Sequence, residues 1–171
     1  MRGLPRFYFG LNITAMLFPF GGRQQKMTKA NELYRNDEEV KEVVRGFESC
    51  ELPPSDFNHK EHLIVALCYL LGSTDEAALE RIRGGLARYI GAHNITPSLY
   101  HETLTVFWLK RVRAYVVRSM DTGRTLVELA NGLAEECGDS RLIYAYYSKE
   151  LIDSDGARRG WTEPDLKPLD F

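Results

Sequence analysis

Phe57-Asn58-His59-Lys60-Glu61-His62-Leu63-Ile64-Val65-Ala66-Leu67-Cys68-Tyr69-Leu70-Leu71 decides the fold. From Leu63 onward this stretch is apolar on every side, so a helix here must be enclosed by other elements rather than laid on a surface. Its start is well signalled. Asn58 suits the N-cap, Glu61 three residues later completes a capping box, and Phe57 falls at the staple position just before the cap. Gly72 ends the helix. Two of the protein's four histidines therefore open a core helix.

Upstream, Asn36 or Asp37 can cap a first helix, and Asp37, Glu38 and Glu39 suit its positive end. Val40, Val43, Val44 and Phe47 fall on one face of it. Leu52-Pro53-Pro54-Ser55 then forces a stiff connection. Downstream, Ser73-Thr74-Asp75-Glu76 signals a third helix, with Leu79, Ile82, Leu86, Tyr89 and Ile90 as its apolar face and Gly91 as its close. Gly84-Gly85 in its middle predicts close packing against another helix, or a kink.

Thr96-Pro97 predicts the start of a fourth helix, reaching about Ser119 and spanning ~34 Å. Its apolar residues, Leu99, Leu104, Val106, Phe107, Trp108, Leu109, Val112, Tyr115 and Val116, cover most of its circumference, which makes it the second central element. Thr125 and Glu128 form another capping box for a fifth helix. Leu126, Leu129, Ala130, Leu133 and Cys137 are its face, and Gly138 stops it. A short helix over 142–147, capped by Asp139, follows. The tail from Ser148 wraps the bundle, with one helical turn near Ala157 and Trp161 as an anchor. No strand-period alternation or internal repeat appears. The fold class is all-α, a single-domain bundle of five or six helices around two buried central ones.

The chain has 171 residues, with 44% hydrophobic and 27% charged side chains and a net charge of −2. Length and composition suit one globular domain, expected over residues 27–171. Lys and Arg are dispersed, which argues against a nucleic-acid partner. The odd number of cysteines (Cys50, Cys68, Cys137) and the absence of a C-x-x-C pair fit reduced thiols and a cytoplasmic location. Residues 1–26 differ from the rest: four basic residues, no acid, and a broken apolar run over 7–20. They read as an N-terminal extension, either disordered or a mis-called start ahead of Met27. A signal or membrane anchor over 7–20 and an ordered N-terminal element are the alternatives. The run is too short and interrupted to span a bilayer, and Gly21-Gly22-Arg23 is a poor cleavage site.

His59 and His62 are neighbours on one side of their helix. The positive end of a helix favours neutral imidazole, the form that a metal ligand or a general base needs. A second cluster, Tyr100-His101-Glu102-Thr103-Leu104-Thr105, opens helix four, with His101, Thr105 and Trp108 on one face. If the clusters meet, His59, His62 and His101 could hold a divalent metal (Zn, Fe or Mn) with an open position, with Glu102 or Glu61 orienting them. The candidate catalytic set is His59, His62, His101 and Glu102; Tyr100, Thr105 and Trp108 are candidate lining residues.

Two other readings compete. In one, His59 and His101 are buried polar residues satisfied by hydrogen bonds to Tyr100, Thr105 or backbone, and the set only locks two central helices in register. Alternatively the histidines line a metal-free pocket for a small polar ligand. The spacing is not H-E-x-x-H, and the inward glutamates of carboxylate di-iron bundles are missing. No nucleophile elbow or phosphate loop is present, and Cys68 is too apolar in context for a nucleophile. His93 is expected in a solvated loop. Tyr144, Tyr146 and Tyr147 are expected in the core or at an interface rather than as ligand-binding groups. The function classes left are hydrolytic or oxidative chemistry in a histidine-lined pocket, or a non-catalytic ligand-binding or assembly module.

Phe57-x-His59-x-x-His62-Leu63, Tyr100-His101-Glu102-Thr103-Leu104-Thr105, and Tyr147-Ser148 with Ala157-Arg158 and Trp161-x-x-Pro164-Asp165-Leu166-x-Pro168-Leu169 resemble a family of small bacterial proteins of uncharacterised activity. The resemblance spans about residues 38–169. It implies that His59, His62, His101 and Glu102 belong together, as do the C-terminal Pro-Asp-Leu residues. It does not reach residues 1–26, which favours the mis-called start.

Overall fold

Helix α2 (His59–Leu71) lies against four neighbours: α1 (Asp37–Glu48), α3 (Asp75–Ala92), α4 (Glu102–Ser119) and α5 (Leu126–Cys137). This computed structural model describes residues 33–120 and 122–171, and every regular element among them is helical. The expected extension over 1–26 lies outside the described residues. α4 in turn touches α2, α3, α5 and α7 (Asp155–Arg159). The two apolar helices are thus the centre of the bundle.

Local chemistry explains most element starts. The Asn36 side chain accepts from Glu39 N, Thr74 from Ala77 N, Thr125 from Glu128 N and Asp139 from Arg141 N. At α2 the Glu61 carboxylate accepts from Asn58 N at 3.0 Å, and the Phe57 and His62 rings pack at a tilt, 3.9 Å apart, as the staple pair.

Two expectations are corrected. The fourth helix does not start at Pro97. Pro97–Leu99 form a single 3-10 turn, Tyr100 and His101 are extended, and α4 begins at Glu102. His101 is its cap: the imidazole Nδ1 accepts from Leu104 N at 3.3 Å. Eighteen residues remain in α4, about 27 Å at the usual rise. Nor does Gly91 close α3. The helix runs to Ala92, and Asn94 takes the left-handed conformation (φ 52°) so that Ile95 N can bond Ile90 O at 2.9 Å. This six-to-one bond is the Schellman pattern, with Asn standing where Gly is usual.

The Gly84-Gly85 pair resolves unequally. A Cβ on Gly85 would stand 2.6 Å from the Phe47 ring, whereas one on Gly84 would meet only the flexible Arg88 head at 3.5 Å. Gly85 is therefore where α3 closes on α1. A second close approach carried no sequence signal. Tyr115 crosses Gly132 of α5, with its hydroxyl 2.5 Å from where a Cβ would be, and donates to Leu129 O at 3.0 Å.

The tail wraps the bundle with two short helices instead of one turn, α6 (Lys149–Ile152) and α7. Thr103 at the start of α4 donates to Gly160 O at 2.8 Å and accepts from Thr162 N at 3.1 Å. Trp161 packs edge-on to the fully buried Tyr147. Asp165 accepts from Ser148 N, and Leu166 N bonds Tyr146 O.

Gly85→Ala is expected to lower unfolding free energy by about 1–3 kcal/mol, because the Phe47 ring must move within a packed core. Gly84→Ala is expected to raise it by about 0.5–1 kcal/mol through helix propensity. Urea unfolding midpoints of the two variants against the parent check both signs.

Candidate functional site

The imidazole of His59, 5% exposed, meets Cys137 O through Nε2 at 2.9 Å and packs edge-on to Trp108 at 4.4 Å. A carbonyl only accepts, so Nε2 carries the proton in the neutral ring and Nδ1 does not. His62, one turn on, has its Nε2 shielded from solvent. Burial lowers the His59 pKa to about 4, with the Cys137 carbonyl acting weakly the other way. Burial, reinforced by His59, lowers that of His62 to about 3. Both rings are neutral at pH 7.

His101 is 2% exposed and uses both nitrogens. Nε2–H donates to Ile152 O at 2.9 Å while Nδ1 caps Leu104 N. Burial again holds its pKa below the ordinary histidine value. An imidazole with both nitrogens bonded to the backbone has no lone pair left for a metal. The expected His59–His62–His101 donor set is therefore not formed. Among the described residues no three His, Cys, Asp or Glu side chains stand together as a metal site.

Glu102, 7% exposed, points away from the histidines toward α3. Arg83 grips both of its oxygens, with Nε–H to Oε2 at 3.3 Å, and the Tyr100 hydroxyl donates to Oε2. Burial would raise the carboxyl, but these two donors outweigh it and hold it below the usual range. Burial and the adjacent carboxylate push Tyr100 up to about 12. Glu61 is occupied in capping α2 and faces Tyr34 and Lys60, so it does not back the histidines. His93 is the C-cap of α3 rather than part of a solvated loop; its ring packs on Tyr89 at 4.4 Å. Tyr146 and Tyr147 are core residues, and Tyr144 is half-buried.

Three cavities adjoin these groups. An open cleft of about 760 Å³ runs between α3 and the 95–102 segment, with Arg83, Tyr100 and Glu102 on one side and Ala87, Ile90, Ile95 and Pro97 among the rest. Adjoining it is a space of about 30 Å³, lined by Phe57, His62, Leu86, Tyr89, Ile90, Ile95 and Leu99 among others. A third, of about 50 Å³, is lined by His59, His62, Leu86, Thr105 and Trp108 among others. Ile90 and Ile95 are a common wall of the first two, and His62 and Leu86 of the last two.

The structure thus gathers His59, His62, Thr105 and Trp108 around one cavity, sets Tyr100 and Glu102 in the outer cleft, and leaves His101 out of all three. Sequence reasoning missed Arg83, Ile90 and Ile95. Arg83 had no local signal, because its partner is 19 residues away. No family model, curated protein or solved structure matches this chain.

Because His59 and His62 have folded-state pKa values below the unfolded value of about 6.5, the unfolded chain takes up protons first as pH falls. Stability is fully present above pH 6.5 and declines toward about pH 4 for His59 and about pH 3 for His62. Each ring contributes up to about 1.4 kcal/mol per pH unit in that window. Urea unfolding at pH 7, 6 and 5 is expected to show this decline. His62→Gln should reduce the slope by up to about one proton, and an unchanged slope would contradict the assignment.

Proposed function

We propose that this protein binds a small organic molecule in the cleft between α3 and the 95–102 segment, with the histidine-lined cavities as the inner end of the site. The observation that supports this reading is the set of shared walls: Ile90 and Ile95 border both the cleft and the first cavity, and His62 and Leu86 border both cavities. The cleft volume lies in the range of ligand pockets, and its lining sets apolar side chains (Ala87, Ile90, Ile95, Pro97) beside polar ones (Arg83, Asn94, Thr96, Tyr100, Glu102). Any chemistry at the inner end would use His59 or His62 as a base, since both rings are neutral at pH 7.

A purely structural role for the histidines is favoured at one position. His101, with both nitrogens bonded to backbone, is a cap and a tail anchor, not a site residue. Three free thiols among the described residues support a cytoplasmic location. No helix among those residues is long and apolar enough to cross a membrane.

Ala87 lies exposed on α3 and lines the cleft, so Ala87→Trp fills the mouth without disturbing the core. Small molecules released by denaturing the purified protein are compared by mass spectrometry with those from this variant. A compound held by the parent is expected to fall at least about tenfold in Ala87→Trp, equivalent to about 1.4 kcal/mol of binding. Equal retention by both proteins, or no retained compound in either, overturns the reading.

A further inference from the structure

Resting on the cleft reading above, we infer that the site takes an uncharged, straight-chain compound whose inner end carries an O–H or N–H donor, in the manner of a primary alcohol or a primary amide. Charge comes first. Among the described residues, no Asp, Glu, Lys or Arg lines either inner cavity. The charges at the outer cleft, Arg83 and Glu102, are bonded to each other. An ammonium or carboxylate head would have to leave water for a space with no opposite charge to meet it, which costs far more than burying a neutral polar group.

Size narrows the choice. Cavities of about 30 and 50 Å³ hold a head of one or a few heavy atoms. A benzene-sized ring needs a space on the order of 150 Å³. The inner end of the ligand is therefore a slim head on a chain, and the bulk of the molecule stays in the cleft.

Hydrogen-bond chemistry sets the kind of head. Two hydroxyl side chains line the inner cavities, Tyr89 and Thr105. Each has committed its proton to a backbone carbonyl: Tyr89 to Leu52 O at 2.7 Å and Thr105 to His101 O at 3.0 Å. A hydroxyl oxygen that has donated its proton can still accept. These two oxygens act as acceptors, and Trp108, which also lines the second cavity, carries an N–H donor, so a head that both donates and accepts, as an alcohol or a primary amide does, suits the lining better than one that only accepts.

A matched six-carbon series tests the class on the intact protein at pH 7: 1-hexanol, hexanamide, hexylamine (as its cation) and hexanoate, with 2-hexanone as the neutral head that only accepts. Binding is read from methyl NMR shifts of Ile90 and Ile95. The alcohol and the amide are expected to shift both residues and to bind at least about tenfold tighter than either ion, with the ketone between. Either ion binding as tightly as the alcohol overturns the charge argument. The ketone matching the amide overturns the donor argument. No shift from any member overturns the ligand class, while the cleft reading stands or falls separately on the compounds retained by the parent and lost in Ala87→Trp.

Discussion

The imidazole of His101 ties the start of α4 to the tail, 51 residues on in the chain. It caps the first turn of α4 through Leu104 N, and it takes the carbonyl of Ile152 from the tail. It does both only as the neutral Nε2–H tautomer, because one nitrogen must accept while the other donates. With His101 drawn toward the tail as an extended cap, Glu102 becomes the first helical residue and turns the other way, to Arg83 on α3. One buried ring thus sets where α4 begins, where the tail lies, and which carboxylate faces the cleft.

The same economy of charge runs through the interior. Three histidines are buried or partly buried near the starts of the two central helices, and burial is the first cause of the lowered pKa in all three. A polar aromatic ring kept neutral can serve as a packing residue, and His62 does so in its tilted contact with Phe57. Two buried carboxylates depart from this: Glu61 caps α2, and Glu102 is held ionised by a two-oxygen grip from Arg83 and a hydroxyl from Tyr100. Ions stay at the rim of the site, and the space behind it is lined by neutral groups.

Much of this was legible in the sequence. The all-round apolar run after His62 marked a central helix, and the Asn58–Glu61 and Thr125–Glu128 pairs fixed two helix starts because a capping box is a local bargain between residues three apart. The Pro97 start failed for a physical reason. Thr96-Pro97 is a sound local signal, but the bonds from His101 and Thr103 to residues 152, 160 and 162 override it, and no local pattern encodes them. The grouping of His59, His62, Thr105 and Trp108 follows from the packing of the two apolar helices against each other near their first turns. The separation of His101 from them does not, since it depends on a partner 51 residues downstream. Arg83 was hidden for the same reason, and Asn94 was overlooked because Gly91 stood nearby as the more familiar helix stop.

The long separations at the start of α4 bear on the order of folding. The bonds that complete that turn bridge 51 residues at His101 and 57 at Thr103. Contacts between residues so far apart form late, since the intervening chain must be ordered before they contribute. On the ribosome, residues 101–103 emerge well before their partners, so the first turn of α4 waits for the last segment of the chain. His101 and Thr103 flank Glu102, so a chain halted before Gly160 lacks the Thr103 bonds that hold this wall of the cleft in place.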